Sequence, residues 1–108
     1  MTVCMTDTDS ITQKITAELE LLERHILMLR ATKENQPIGI IRLSEILNIP
    51  KHKVRYSLRL LEKAGLIEPS AGGAKVTDGY EEFMKETSEY LDSMAERVEN
   101  VRNTVPRI

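Results

Sequence analysis

The chain predicts a mainly α-helical fold with one small β-hairpin, and three observations predict it. Apolar residues recur at spacings of three and four over two long stretches, 11–34 and 79–103. Between them, two shorter helical patterns are separated by Asn48-Ile49-Pro50, a turn-forming tripeptide. A Gly72-Gly73 pair then lies between two strand-like triplets.

Residues 1–9 are polar and aperiodic, which predicts a disordered tail. Ile11, Ile15, Leu19, Leu22, Ile26 and Leu29 form one stripe of a first helix, with Ser10 or Thr12 placed to cap it. Pro37 disfavours helix in the residue before it and ends this element. Ile38–Ile41 reads as a short strand, and Arg42–Asn48 as a two-turn helix with Ile46 and Leu47 inward and Ser44 near its first turn. Asn48 tolerates left-handed backbone, and Pro50 suits the start of the next helix. That helix spans Lys51–Ala64, with Val54, Leu58 and Leu61 inward and Gly65 closing it. Leu66–Glu68 and Lys75–Thr77 read as strands around a Ser70–Ala74 turn, and Thr77 or Asp78 is placed to cap the final helix. The organisation is a tail (1–9), an N-terminal helix (10–36), a core (37–78) and a C-terminal helix (79–108), without internal repeats.

At 108 residues this is enough chain for one modest core. Aromatic residues make up 4% and Trp is missing, so Leu, Ile, Val and Met must build that core. No apolar run reaches the roughly 18–20 residues that span a bilayer, and MTVCMTDTDS has no secretory character. A single Cys excludes an internal disulfide and fits a reducing cytoplasm. His25, His52 and Cys4 have no metal-ligand spacing, no phosphate-cradling loop is present, and the acids form no catalytic pattern. The expectation is a non-enzymatic cytoplasmic protein without cofactor or metal, and the pattern lends a small-molecule effector no support.

Charge is segregated. The net charge is −2, yet Pro37–Thr77 holds seven Lys or Arg against three Glu, a local +4, leaving eight basic and fourteen acidic residues elsewhere. A phosphate backbone responds to the local face and not to the total. With Val54, Leu58 and Leu61 inward, the second short helix turns Lys51, His52, Arg55, Tyr56, Arg59 and Lys63 outward, with Lys53 flanking. A solvated basic face is the bland alternative for such a helix. The preceding turn, the following hairpin and the acidity of the remainder favour double-stranded DNA. Arg55 and Arg59 lie one turn apart and suit bidentate contact to guanine edges. Lys51, Lys53, Lys63 and Lys75 suit phosphates as point charges, as do Ser44 and the backbone near it. His52 and Tyr56 suit either.

The run LSEILNIPKHKVRYSLRLLEKAGLI resembles the helix-turn-recognition-helix of the winged-helix transcription regulators of bacteria and archaea, in the neighbourhood of the MarR, ArsR and PadR families. EPSAGGAKVTDGYEEF resembles their wing and the helix start that follows, and Leu61–Ile67 matches their common "LE-x-x-G-L-I" ending. The resemblance covers roughly Ile38–Phe83, less than half of the chain, and is specific for the superfamily. It implies a winged helix-turn-helix flanked by long terminal helices, in a transcription regulator that joins the nucleoid when bound. Two departures stand out: the wing turn is short and carries no Arg, and no effector-binding extension is evident.

The terminal helices carry apolar stripes longer than such a core covers. They predict a homodimer through a coiled-coil or four-helix interface, using Leu19, Leu22, Ile26 and Leu29 on the first helix. Phe83, Tyr90, Leu91, Met94, Val98 and Val101 serve on the last, which bears eight acids when Asp78 at its start is counted. The alternative to a dimer is that the two helices pack on each other in one chain. Sequence-specific regulation is the leading expectation. A winged-helix protein–protein module and a non-specific nucleoid-type DNA binder are the alternatives.

Overall fold

The computed structural model describes residues 10–108, so the predicted 1–9 tail and Cys4 lie outside the described residues. The chain is mainly helical with a two-stranded antiparallel hairpin, in the order α1 (Ile11–Asn35), α2 (Ile40–Leu47), α3 (Lys51–Lys63), β1 (Ile67–Ser70), β2 (Gly73–Val76) and α4 (Tyr80–Thr104). It divides into two compact units, Met1–Thr77 and Asp78–Ile108. No helix among the described residues is long and apolar enough to cross a membrane.

In the first unit, Ser10 caps α1 by accepting the Gln13 backbone N–H at 3.2 Å. The N-terminal half of α1 is exposed, whereas Met28, Leu29, Ala31 and Thr32 are buried. The core gathers these with Ile38, Leu43, Val54, Ser57, Leu61, Leu66 and Ile67. The C-terminal half of α1 is thus an integral part of this core and not a separate packing element. Leu29, expected in a dimer interface, is fully buried here and is a core residue.

Two inward assignments on α2 change. Leu43 is its buried residue, while Ile46 is 40% exposed and Leu47 is half-buried. An eight-residue helix completes only about two turns, so its apolar spacing defines the inward face loosely. α2 also begins at Ile40, leaving Ile38 alone as a strand-like residue. Ile38 pairs antiparallel with Ala74: its N–H donates to the Ala74 carbonyl at 3.1 Å and its carbonyl accepts the Ala74 N–H at 2.7 Å. Gln36 Oε1 accepts the Val76 N–H at 2.9 Å on the same edge. The β2 strand is therefore paired on both sides, with β1 from Ile67↔Val76 to Ser70↔Gly73 and with the Gln36–Ile38 segment.

The hairpin turn is tighter than the five residues expected, because Ser70 and Gly73 are already a strand pair and only Ala71-Gly72 lie between them. Ser70 Oγ donates to the Gly73 carbonyl at 2.6 Å across that turn. The Thr77 hydroxyl donates to the Gly65 carbonyl at 2.6 Å. Gly79 is the N-cap residue of α4 and has no side chain to accept from the helix.

The second unit is α4, preceded by Asp78-Gly79 and followed by Val105–Ile108. Glu81 and Glu82 in its first turn and Arg102 in its last complement the helix dipole. None of its residues is buried: Phe83, Leu91 and Met94 are half-buried, and Tyr90, Val98 and Val101 are exposed.

Candidate nucleic-acid interface

The turn before α3 is held locally. Asn48 adopts φ 55° and ψ 45°, the left-handed conformation that its short polar side chain tolerates. Ser44 clasps the next residue twice: its carbonyl accepts the Ile49 N–H at 3.2 Å and its hydroxyl donates to the Ile49 carbonyl at 2.6 Å. Pro50, the N-cap residue, offers its carbonyl to the N–H groups of Lys53 and Val54 at 3.0 and 3.1 Å. At the other end Gly65 takes φ 79°, the Leu66 N–H donates to the Leu61 carbonyl and the Gly65 N–H to Glu62, each at 3.0 Å. This pair of bonds is a Schellman ending. Both ends of α3 are fixed by backbone geometry.

Between those ends, Val54, Ser57 and Leu61 are buried and Leu58 is half-buried. Ser57 takes the inward place between Val54 and Leu61 that an apolar reading assigns to Leu58. Lys51, His52, Lys53, Arg55, Tyr56, Arg59 and Lys63 are all exposed, as is Lys75 on β2. Arg42 and Glu45 form an ion pair at 3.9 Å, between two exposed side chains of α2. Among the described residues the cations of α3 have no carboxylate partner, so their charge faces solvent.

The exposed set borders shallow depressions on both sides of α3. One lies against α2, lined by Gly39, Ile40, Ile41, Arg42, Lys51 and Arg55 among others. A second lies against the hairpin, where Arg55, Leu58 and Arg59 meet Ile67, Pro69 and Ser70. A third joins Arg24 of α1 to His52, Lys53, Arg55, Tyr56 and Arg59. Arg55 borders all three. Ser44 is differently placed: it is the fifth residue of α2, and its hydroxyl proton is engaged by Ile49. That proton is not free for a phosphate.

Sequence reasoning missed Arg24. Its Nε donates to the buried Ser57 Oγ at 2.9 Å, which brings a guanidinium from α1 to the basic side of α3. No local signal marks this pairing, since the two residues are 33 positions apart. Beside it, His25 is half-buried with Nδ1 buried and unpartnered among the described residues. Burial holds the His25 pKa below its usual 6.5, and the neighbouring Arg24 charge acts in the same direction.

Among the described residues, no three His, Cys, Asp or Glu side chains converge as a metal-ligand group. No family model matches the chain and no curated protein is significantly similar to it. The functional reading therefore starts from the chain's own residues.

Proposed function

We propose that this chain is a sequence-specific transcription regulator of the winged helix-turn-helix type. It binds double-stranded DNA as a homodimer, with α3 in the major groove and the hairpin as the wing. The observation that carries the reading is the face of α3 itself. Lys51, Lys53, Arg55, Arg59 and Lys63 are exposed and, among the described residues, free of carboxylate partners, on a helix fixed at both ends and preceded by a tight turn from α2.

Arg55 and Arg59 contact base edges, and the lysines, Lys75 included, contact phosphates. His52 and Tyr56 border the same surface. The remainder of the chain is acidic, which disfavours contact between α4 and phosphates. Exposed apolar residues supply the reason to dimerise: Ile11, Ile15 and Leu19 on α1 are 80%, 57% and 55% exposed, and Tyr90, Val98 and Val101 on α4 are 58%, 60% and 55% exposed. A twofold dimer would set two copies of α3 on successive major grooves about one helical turn apart.

Fluorescence anisotropy with the duplex upstream of the chain's own coding sequence tests this, against a random duplex of equal length. Tight binding to the first that weakens steeply with salt supports regulation. Equal binding to both would point to an architectural DNA binder. Failure to bind either at low salt would leave protein assembly as the role of the fold.

A further inference from the structure

The depression between α1 and α3 has a feature that a solvated basic face does not require. Arg24 lies beside Lys53, Arg55 and Arg59, together with His52 and Tyr56, and among the described residues no carboxylate lines this depression. Like charges brought together in this way repel one another, and the cost persists unless an anion offsets it. Arg24 is also held in place. Its Nε–H donates at 2.9 Å to a hydroxyl that is fully buried, so the half-buried guanidinium is anchored by one edge. An anchored fork loses less conformational freedom on binding than a free surface side chain does. The terminal nitrogens of the guanidinium remain to donate outward, the geometry in which Arg engages phosphate oxygens with paired N–H groups.

We propose that Arg24, positioned by Ser57, forms with Lys53 a phosphate-binding site that carries the DNA contact surface from α3 onto α1. The inference rests on the DNA-binding reading and adds to it a contact outside the α2–turn–α3 segment and the hairpin. The ligand is a backbone phosphate, so the site contributes affinity and register but no base preference. Ser57 is the positioning residue. It is buried, touches no ligand, and acts through the Nε–H···Oγ bond.

The test is the salt dependence of duplex binding by the full-length protein. Each phosphate contact contributes about 0.9 to the slope of log K against log salt. Arg24→Ala should lower the magnitude of that slope by about 0.9 per protomer and weaken specific and random duplexes by the same factor. Arg24→Lys keeps the charge and should retain the slope while binding less tightly than wild type. Ser57→Ala should likewise retain the slope and lose affinity, because the cation remains but is no longer anchored. Arg30→Ala removes the same charge from an exposed position on α1 outside the depression and should leave the slope unchanged. Melting curves confirm that each variant is folded before binding is compared. Wild-type binding with an unchanged slope in Arg24→Ala overturns the phosphate site and leaves the DNA reading intact. Equal slope losses in Arg24→Ala and Arg30→Ala also overturn it, since net charge alone would then account for the effect. Failure of the wild type to bind any duplex would instead overturn the DNA reading on which this site rests.

Discussion

A Cβ added to Gly73 would lie 2.6 Å from both the carbonyl carbon and the carbonyl oxygen of Ile38. Gly73 also takes φ 132°, a conformation that side chains with a Cβ rarely adopt. The hairpin can press against the Gln36–Ile38 segment because this position has no side chain. Gly73→Ala should therefore cost at least about 2 kcal/mol, since the Cβ meets rigid backbone and the dihedral is strained. Gly72→Ala meets the Pro37 ring, with Cγ at 2.9 Å and Cβ at 3.4 Å, and should cost less than about 1 kcal/mol, because a ring pucker can yield. Urea unfolding of the two variants checks the order, which reverses if the turn and not the close approach requires the glycines.

Ser44 tests the difference between a turn clasp and a phosphate contact. Ser44→Ala removes the hydroxyl bond to the Ile49 carbonyl and should lower stability by about 1 kcal/mol. The salt dependence of DNA binding should not change. A fall in the salt slope without loss of stability would restore Ser44 as a phosphate contact.

Arg59→Ala should weaken binding to the preferred duplex by about 1–3 kcal/mol and relax the base preference at one position. Lys53→Ala should weaken preferred and random duplexes alike. Anisotropy titrations of both variants against both duplexes separate these roles. An equal loss on the two duplexes for Arg59→Ala would make Arg59 a phosphate contact.

How much of this was legible in the chain depended on whether the signal was local. Asn48, Pro50 and Gly65 mark the two ends of α3 through their own backbone preferences, and Val54 and Leu61 mark its inner face by spacing alone. Ser57 escaped notice because a serine reads as a surface residue until its partner is known. That partner, Arg24, is distant in the chain and becomes a neighbour only when α1 packs against α3. Thr77 carries a local capping signal, whereas the bond from its hydroxyl to the Gly65 carbonyl across the base of the hairpin is tertiary and has no local mark. The Gly72-Gly73 pair was read as a turn signal. The closer constraint on it, the approach to Pro37 and Ile38, is tertiary and leaves no mark on the local sequence.

His25 gives the folded state a pH dependence with a definite sign. The folded protein holds this imidazole below 6.5, so the unfolded chain takes up a proton more readily. Its contribution to stability is full above about pH 6.5 and is lost as the pH falls through the folded-state value. Wild-type protein should lose more melting temperature between about pH 7.5 and about pH 5.5 than His25→Gln does. Equal losses in the two proteins would show that His25 is not responsible.

The exposed stripe on α1 predicts the assembly state. Sedimentation equilibrium at micromolar concentration should give twice the chain mass, and Leu19→Asp should shift the protein toward monomer by placing a charge in the apolar seam. A wild-type monomer would remove the dimer from the account, and with it the expectation of paired half-sites. An unchanged dimer in Leu19→Asp would place the interface elsewhere.

The outer face of α3 is the surface proposed to meet DNA. Amide NMR shifts recorded during titration with the upstream duplex test this residue by residue. The largest changes should fall across Lys51–Lys63, with smaller ones at Arg24 and Lys75 and little change along α4. Changes centred on α4, or none at low salt with saturating duplex, would contradict it.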